Sequence, residues 1–380
     1  MKKKVLLGLS GGVDSAVAAY LLLKEGYDVT ACFMRNWDAL ANNDYLGNPT
    51  ISNSQCPQEK DYDDAEAVAK KLGIKFIRHD YIKEYWDNVF SYLIREYEIG
   101  RTPNPDIFCN KYIKFGPFLD FAKENGFDYI AMGHYAKRVD IDGVSYLRKA
   151  YDKNKDQTYF LSQISQDQLS SCLFPLGDIA KEEVRKIAHE LDLNSVMDKK
   201  DSTGICFIGE RNFREFLKNY IPANEGDIVD IETNRILGKH QGVMYYTIGQ
   251  RKGLGIGGIH GEEANGWFVA KKDIKKNILY VASGGESTYL NSNRCTVDTL
   301  NFISKKLLDN SHIFVKFRYR QEDNGATIHY INDDLVELIY DHEVKAVTPG
   351  QAAVFYDENE NCLGGGLIRH TYMDERLLNE

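Results

Sequence analysis

The sequence predicts an α/β protein: an N-terminal doubly wound parallel sheet, then a small central β-rich segment, then a C-terminal antiparallel β-barrel. Three observations carry this. Short apolar runs alternate with helical stretches up to about residue 210. A glycine loop joins the first apolar run to the first helix. Beyond residue 212, alternating strands separated by turn residues take over.

Residues 5–9 are the first strand, and 15–24 the first helix, with Ala16, Ala19, Tyr20 and Leu23 at helical spacing and Gly26 just past its end. The alternation continues with a strand at 29–34, a helix at 63–72, a strand at 74–77, a longer helix at 82–99 and a buried strand at 129–132 that ends on Gly133-His134. Between Asn36 and Tyr62 a polar stretch with Gly47-Asn48-Pro49 and Cys56-Pro57 reads as a long loop of the kind that carries function or moves. A helix near 213–220 stops before Pro222, and Gly253-Leu254-Gly255-Ile256-Gly257-Gly258 is too glycine-rich for a regular element. Strands at 312–319, 326–330, 335–340 and 351–356, broken by Asp323-Asn324-Gly325 and Asn332-Asp333-Asp334, close the chain as a small barrel.

A length of 380 residues suits two or three domains, here 1–212, 213–285 and 286–380. With 43% hydrophobic and 27% charged residues the composition is globular, with no disordered tract and no internal repeat. Met1-Lys2-Lys3-Lys4 before Val5-Leu6-Leu7 imitates a signal peptide, but the apolar run ends too early, so a cytoplasmic location is expected. No later stretch is long and uncharged enough to span a bilayer, and no membrane partner is expected. Seven cysteines without a C-x-x-C pair argue against a disulfide framework, a zinc ribbon or a bound metal. A net charge of −9 argues mildly against nucleic acid. Two basic clusters, Lys137 to Lys155 and Lys316 to Arg320, read on charge alone as solvated surface.

Ser10-Gly11-Gly12-Val13-Asp14-Ser15 is fed by a strand and left by a helix, so backbone N–H groups and the positive helix end converge on an anion. It lacks the Gly-Lys-Ser/Thr of a Walker loop. In Thr102 to Asn110 two prolines fix a rigid turn just before Cys109. If a helix starts at Lys111, Cys109 lies at its N-terminus, a position that lowers a thiol pKa, and Asp106 can cap it or act as general acid or base. A second cysteine, Cys206, follows Lys199-Lys200 in the segment Asp201 to Gly209. Cys32, Cys172, Cys295 and Cys362 have apolar or strand-like neighbours and read as inert.

The loop resembles that of the ATP pyrophosphatase (PP-loop) superfamily, whose fold is adenine nucleotide α-hydrolase-like. With both cysteine segments, and with Gly133-His134-Tyr135, Lys155-Asp156-Gln157, His240-Gln241-Gly242, Thr247 to Gly258, Ala346 to Gln351 and Cys362 to Gly366, the whole chain resembles the bacterial tRNA 2-thiouridylases, the MnmA family. The resemblance implies that ATP, with Mg2+, adenylates C2 of the wobble uridine of tRNAs for lysine, glutamate and glutamine. ATP-site residues are then Gly8, Leu9, Ser10, Gly11, Gly12, Val13, Asp14, Ser15, Met34 and Gly133. Cys206 would receive a persulfide sulfur from a cysteine desulfurase or relay protein, and Cys109 would be its partner thiol, closing a disulfide as sulfur is released. A second order, with Cys109 attacking C2 first, stays open. The resemblance assigns Asn104, Pro105 and Asp106 to the target base, and His134, Lys155, Asp156, Gln157, Arg318, Tyr319 and Gln351 to tRNA.

Two competing readings are an ATP pyrophosphatase that ligates a small molecule, which leaves the cysteines and barrel idle, and a non-catalytic RNA-binding module with a dead loop.

Overall fold

A computed structural model describes residues 2–49, 57–201, 208, 212–256 and 266–378. The N-terminal sheet is built from β1 (Lys4–Gly8), β2 (Asp28–Arg35), β3 (Lys75–Asp80) and β4 (Tyr129–Ala131); a hairpin of β5 (Lys137–Ile141) and β6 (Val144–Arg148) intervenes before its last strand, β7 (Cys172–Leu173). All neighbours in the order β3-β2-β1-β4-β7 are parallel.

Strand alternation explains why both faces are covered. Val5, Leu7, Ala31 and Phe33 pack with the buried small residues of α1 (Val13–Lys24) and with Ala65 and Val68 of α2 (Pro57–Leu72). Leu6, Cys32, Met34 and Ile130 point the other way, into a core with Val89, Phe90, Phe118 and Leu119. The strand order reverses between β1 and β4, and in such sheets ligands bind beyond the carboxyl ends of the strands at that point.

The helix expected over 82–99 is one helical run from Ile82 to Glu98 that widens to a π turn at Trp86–Phe90. There Trp86 and Phe90 pack against Trp37 and Tyr220. The central strands β8 (Gly226–Asp230), β9 (Ile236–His240), β10 (Trp267–Asp273) and β11 (Ile278–Ser283) form a four-stranded sheet in the order β10-β11-β8-β9.

The last sheet contains β12 (Asn291–Phe302), β13 (His312–Lys316), β14 (Asn324–Asn332), β15 (Leu335–Lys345), β16 (Ala352–Tyr356) and β17 (Asn361–Met373). It closes because β12 pairs with both β15 and β17, giving the antiparallel barrel that the sequence predicts, around Val297, Val315, Phe317, Ile328, Leu338 and Phe355. Sequence did not show that β6 joins this barrel sheet, with Leu147 opposite Cys362 and Arg148 opposite Asn361 on β17.

Candidate active site

The glycine loop starts where β1 ends. Leu9 N–H still reaches the Cys32 carbonyl at 2.9 Å, after which Gly11 turns with φ +72°. A Cβ on Gly11 would lie 2.2 Å from the Asp61 carbonyl oxygen, so only glycine fits. Ser15 Oγ accepts from Ser10 N–H at 3.1 Å and donates to the Gly12 carbonyl at 3.1 Å, which holds the loop curled over the helix start. Gly12 caps α1 with no side-chain hydrogen bond, leaving the first-turn N–H groups for an anion. Gly133 follows β4 so closely that a Cβ there would be 2.9 Å from Ser15 N. A Cβ on Gly8 would lie 2.9 Å from Met34 Cε. The expected ATP residues Gly8 to Ser15, Met34 and Gly133 thus form one cluster at the β1/β4 switch point.

Around this loop lies a charge network that the sequence did not reveal. Lys181 Nζ donates to both Asp14 oxygens, at 2.7 and 2.8 Å, and lies 2.8 Å from Asp201. Tyr135 O–H donates to Asp14 at 2.7 Å. Lys155 and Arg185 hold Asp201 at 2.8 Å each. Burial alone would raise the Asp201 carboxyl, but the ammonium groups of Lys155 and Lys181 outweigh it and hold it at about 2. Lys199 donates to the Gly11 carbonyl at 2.8 Å and bridges Asp61 and Asp64 at 2.7 and 2.8 Å. Burial disfavours its charge, yet the two carboxylates raise its pKa. Lys181 and Tyr135 fix the Asp14 carboxylate, and Lys199 fixes the loop backbone. Because Tyr135, Lys181 and Lys199 reach the loop from 121 to 188 residues away along the chain, no local motif announced them.

The cysteine segment corrects one expectation. The helix starts at Pro105, with Asn104 as its cap, whose Oδ1 accepts from Asp106 N–H at 3.1 Å. It continues through Cys109 into a π turn at Asn110–Lys114, and a separate helix follows at Pro117–Glu124. Cys109 therefore sits a turn inside the helix rather than at its N-terminus, and is 0% exposed. The capping role considered for Asp106 belongs to Asn104. Asn104, Pro105 and Asp106 are partly exposed at the helix start. Thr102, just before them, donates its N–H to the Pro349 carbonyl at 3.0 Å and accepts from Gln351 Nε2 at 2.6 Å. The barrel thus braces the turn that precedes the helix. Cys206 lies outside the described residues.

The residues expected at tRNA take varied positions. His134 is 8% exposed between Phe115 and Phe174, and burial drives its pKa well down. Among the described residues its Nδ1 has no hydrogen-bond partner. Asp156 is buried, accepting from Ala150 N–H at 2.9 Å and Thr158 O–H at 2.7 Å. Gln157 Oε1 accepts from Tyr135 N–H at 3.0 Å. Arg318 donates to the Ile248 and Ala346 carbonyls at 2.7 Å and to Thr348 Oγ1 at 2.9 Å, clasping a loop of the central part to the barrel. Tyr319 packs on Phe160, ring centroids 4.4 Å apart. Lys155 is half-exposed but spent on Asp201. The first basic cluster is neutralised rather than simply solvated: Lys137 pairs with Asp178, Lys149 with Asp323 and Lys153 with Glu360.

Among the described residues no group of three or more His, Cys, Asp or Glu is arranged to hold a metal, and no helix is long and apolar enough to cross a membrane.

Residues 3–210 match a family model described as "tRNA methyl transferase HUP domain", 214–283 one described as "tRNA methyl transferase PRC-barrel domain", and 292–368 one described as "Aminomethyltransferase beta-barrel domain". A relative from Mycoplasma capricolum subsp. capricolum, named tRNA-specific 2-thiouridylase MnmA, is 57% identical, covering 97% of this chain and 99% of its own. Proteins of the same name from Acholeplasma laidlawii and from a Shewanella species are 53% identical with 98% of each chain covered and 51% identical with 96% of each chain covered.

Proposed function

The chain belongs to the tRNA-specific 2-thiouridylase family, and from that premise we propose how its residues replace the C2 oxygen of a tRNA uridine by sulfur. The observation that carries the reading is the convergence of the anion loop, the fixed Asp14 carboxylate and the end of β4 at one switch point. ATP binds there with its phosphates against the loop N–H groups, and Mg2+ accompanies the phosphates as their counter-ion.

The uridine C2 oxygen attacks the α-phosphorus, the bond to the β-phosphate breaks, and pyrophosphate leaves into the loop. The adenylated oxygen is now a leaving group. A persulfide on Cys206, loaded by a protein persulfide donor, attacks C2 through its terminal sulfur and AMP departs. The Cys109 thiolate then attacks the inner sulfur, forming the Cys109–Cys206 disulfide and leaving the second sulfur on the RNA as the thiocarbonyl. A dithiol reductant returns both cysteines to thiols. Asp106, at the exposed helix start, is placed to handle the uridine proton, and Asn104-Pro105 to receive a base flipped from the anticodon. The buried sulfur of Cys109 has to be uncovered for its step.

The substrates are the tRNAs for lysine, glutamate and glutamine, the compartment is the cytoplasm, and the units are 1–212, 213–285 and 286–380. His134, Lys155, Gln157, Arg318, Tyr319 and Gln351 shape the tRNA-facing side, the buried Asp156 acting by holding the 150–158 loop. The methyl-transfer wording of two matched family descriptions names a different group transfer, one that releases no pyrophosphate and leaves the loop without a role. The test is tRNA-dependent pyrophosphate release, followed by digestion of the tRNA for 2-thiouridine. Release driven by a small acid without RNA, or a methylated uridine in the digest, overturns the reading.

A further inference from the structure

Among the described residues the fold pairs the other lysines it buries, Lys181 with Asp14 and Asp201 and Lys149 with Asp323. Lys272 on β10 is different. It is 8% exposed, and among the described residues its Nζ makes one hydrogen bond, 2.8 Å to the Tyr246 carbonyl, and no ion pair. An ammonium has three donors, and a buried one without a carboxylate either gives up its proton or receives an anion from outside the chain.

Lys272 forms part of the wall of a cleft of about 250 Å³ where all three parts of the chain meet. The N-terminal part contributes Arg101, the central part Ile248 and Lys272, and the barrel Thr348 and Arg369. Among the described residues no Asp or Glu lines it, in a protein whose net charge is −9. The two guanidinium groups are held loosely by carboxylates that do not line the cleft, Glu96 at 3.5 Å from Arg101 and Asp298 at 3.8 Å from Arg369.

We infer that this cleft is a phosphate-binding site, with Lys272 as the ammonium at its wall and Arg101 and Arg369 as guanidinium donors. Several donors of one sign around a small space suit a group with several acceptor oxygens, and guanidinium pairs favour phosphate. The placement names the source. Arg101 precedes Asn104 by three residues, so their Cα atoms are at most about 11 Å apart, and a phosphate held here belongs to the RNA backbone next to the nucleotide presented at Asn104-Pro105-Asp106. That assignment rests on the tRNA reading, whereas the phosphate chemistry of the cleft does not.

The experiment uses the full chain and two variants, Lys272→Met, which keeps the buried stem, and Arg369→Gln. Thermal unfolding is followed in sodium phosphate against sodium chloride of equal ionic strength, and unmodified tRNA binding by fluorescence anisotropy across a salt series. The Ser10–Ser15 loop contributes equally to all three proteins, so the readout is the difference from wild type. We expect each variant to lose at least half of the phosphate-specific rise in Tm, to bind tRNA about three- to tenfold more weakly, and to show a log–log salt slope shallower by about one. Loss of the phosphate response with unchanged tRNA binding supports the site and assigns it to a free anion. A changed salt slope alone supports the RNA source. An undiminished phosphate response together with an unchanged slope in both variants overturns the inference. Failure of the wild type to bind tRNA counts against the thiouridylase reading, while the phosphate arm still decides the cleft.

Discussion

Replacing Lys181 by methionine removes the ammonium that, among the described residues, touches both Asp14 and Asp201, at 2.7–2.8 Å. At an effective dielectric of about 20, one such contact is worth roughly 6 kcal/mol before desolvation. Breaking a buried pair costs about 3–5 kcal/mol in practice. The two carboxylates are 33% and 34% exposed, and Asp201 keeps Lys155 and Arg185, so water and the remaining cations recover part of the loss. We therefore expect about 2–3 kcal/mol of destabilisation, which in a unit of roughly 200 residues lowers Tm by about 4–12 °C. A double-mutant cycle with Asp14→Asn isolates the pair and should give a coupling of at least about 1 kcal/mol. The pH dependence has a definite sign. Asp201 is held at about 2 against an ordinary 3.8, so its share of stability is present above 3.8 and is lost as pH falls through about 2. In the variant that loss moves to higher pH. Urea unfolding within about 0.5 kcal/mol of wild type, with strict additivity in the cycle, would refute the claim that Lys181 holds the loop carboxylate.

Gly11→Ala places a Cβ 2.2 Å from the Asp61 carbonyl at φ +72°. The left-handed conformation alone costs about 1–2 kcal/mol; displacement of the loop should raise the KM for ATP at least about tenfold in a pyrophosphate-release assay. Cys206→Ser should abolish 2-thiouridine formation with a persulfide donor while tRNA-dependent pyrophosphate release continues, and Asp14→Asn should abolish both; equal thiolation by wild type and Cys206→Ser contradicts the sulfur-carrying role. Lys272 has a pKa lowered by burial to about 7, against 10.5 when unfolded. Between those values the unfolded chain binds the extra proton, so wild-type stability should rise by about 2 kcal/mol from pH 7 to 9 relative to Lys272→Met. Parallel urea profiles for the two proteins would show that the ammonium is not desolvated.

The anion loop was legible because its parts are contiguous: a strand, two glycines, an aspartate and a helix within a few residues. The barrel strands were legible because period-two patterning and Asp-Asn-Gly turns are local signals. The Cys109 helix was misplaced although its start was written in the sequence. Asn104-Pro105 is a capping residue followed by proline at the first helical position, and reading both prolines as turn formers hid it. Lys181, Lys199 and Tyr135 were illegible in principle, since each reaches the loop from a distant segment and none lies in a motif that demands a carboxylate partner. His134 shows the opposite limit. Sequence placed it at the end of β4 but could not show that Phe115 and Phe174 enclose it.

The β5–β6 hairpin ties the timing of assembly to the order of synthesis. Its partner residue Asn361 is 361 − 148 = 213 residues downstream of Arg148, so at about 5–20 residues per second the ribosome needs roughly 10–40 s to deliver it. Throughout that interval the β6 edge has unpaired backbone groups that any passing strand could extend. The short β6 ends on Arg148, with Lys149 next to it, and a brief, charged edge resists such capture. When β17 arrives, Arg148 Nε closes on Asn361 Oδ1 at 2.9 Å and Lys149 N–H on the Glu360 carbonyl at 3.1 Å. The nascent chain thus carries an open seam from about two-fifths of its length, and β17, close to the chain's end, seals it.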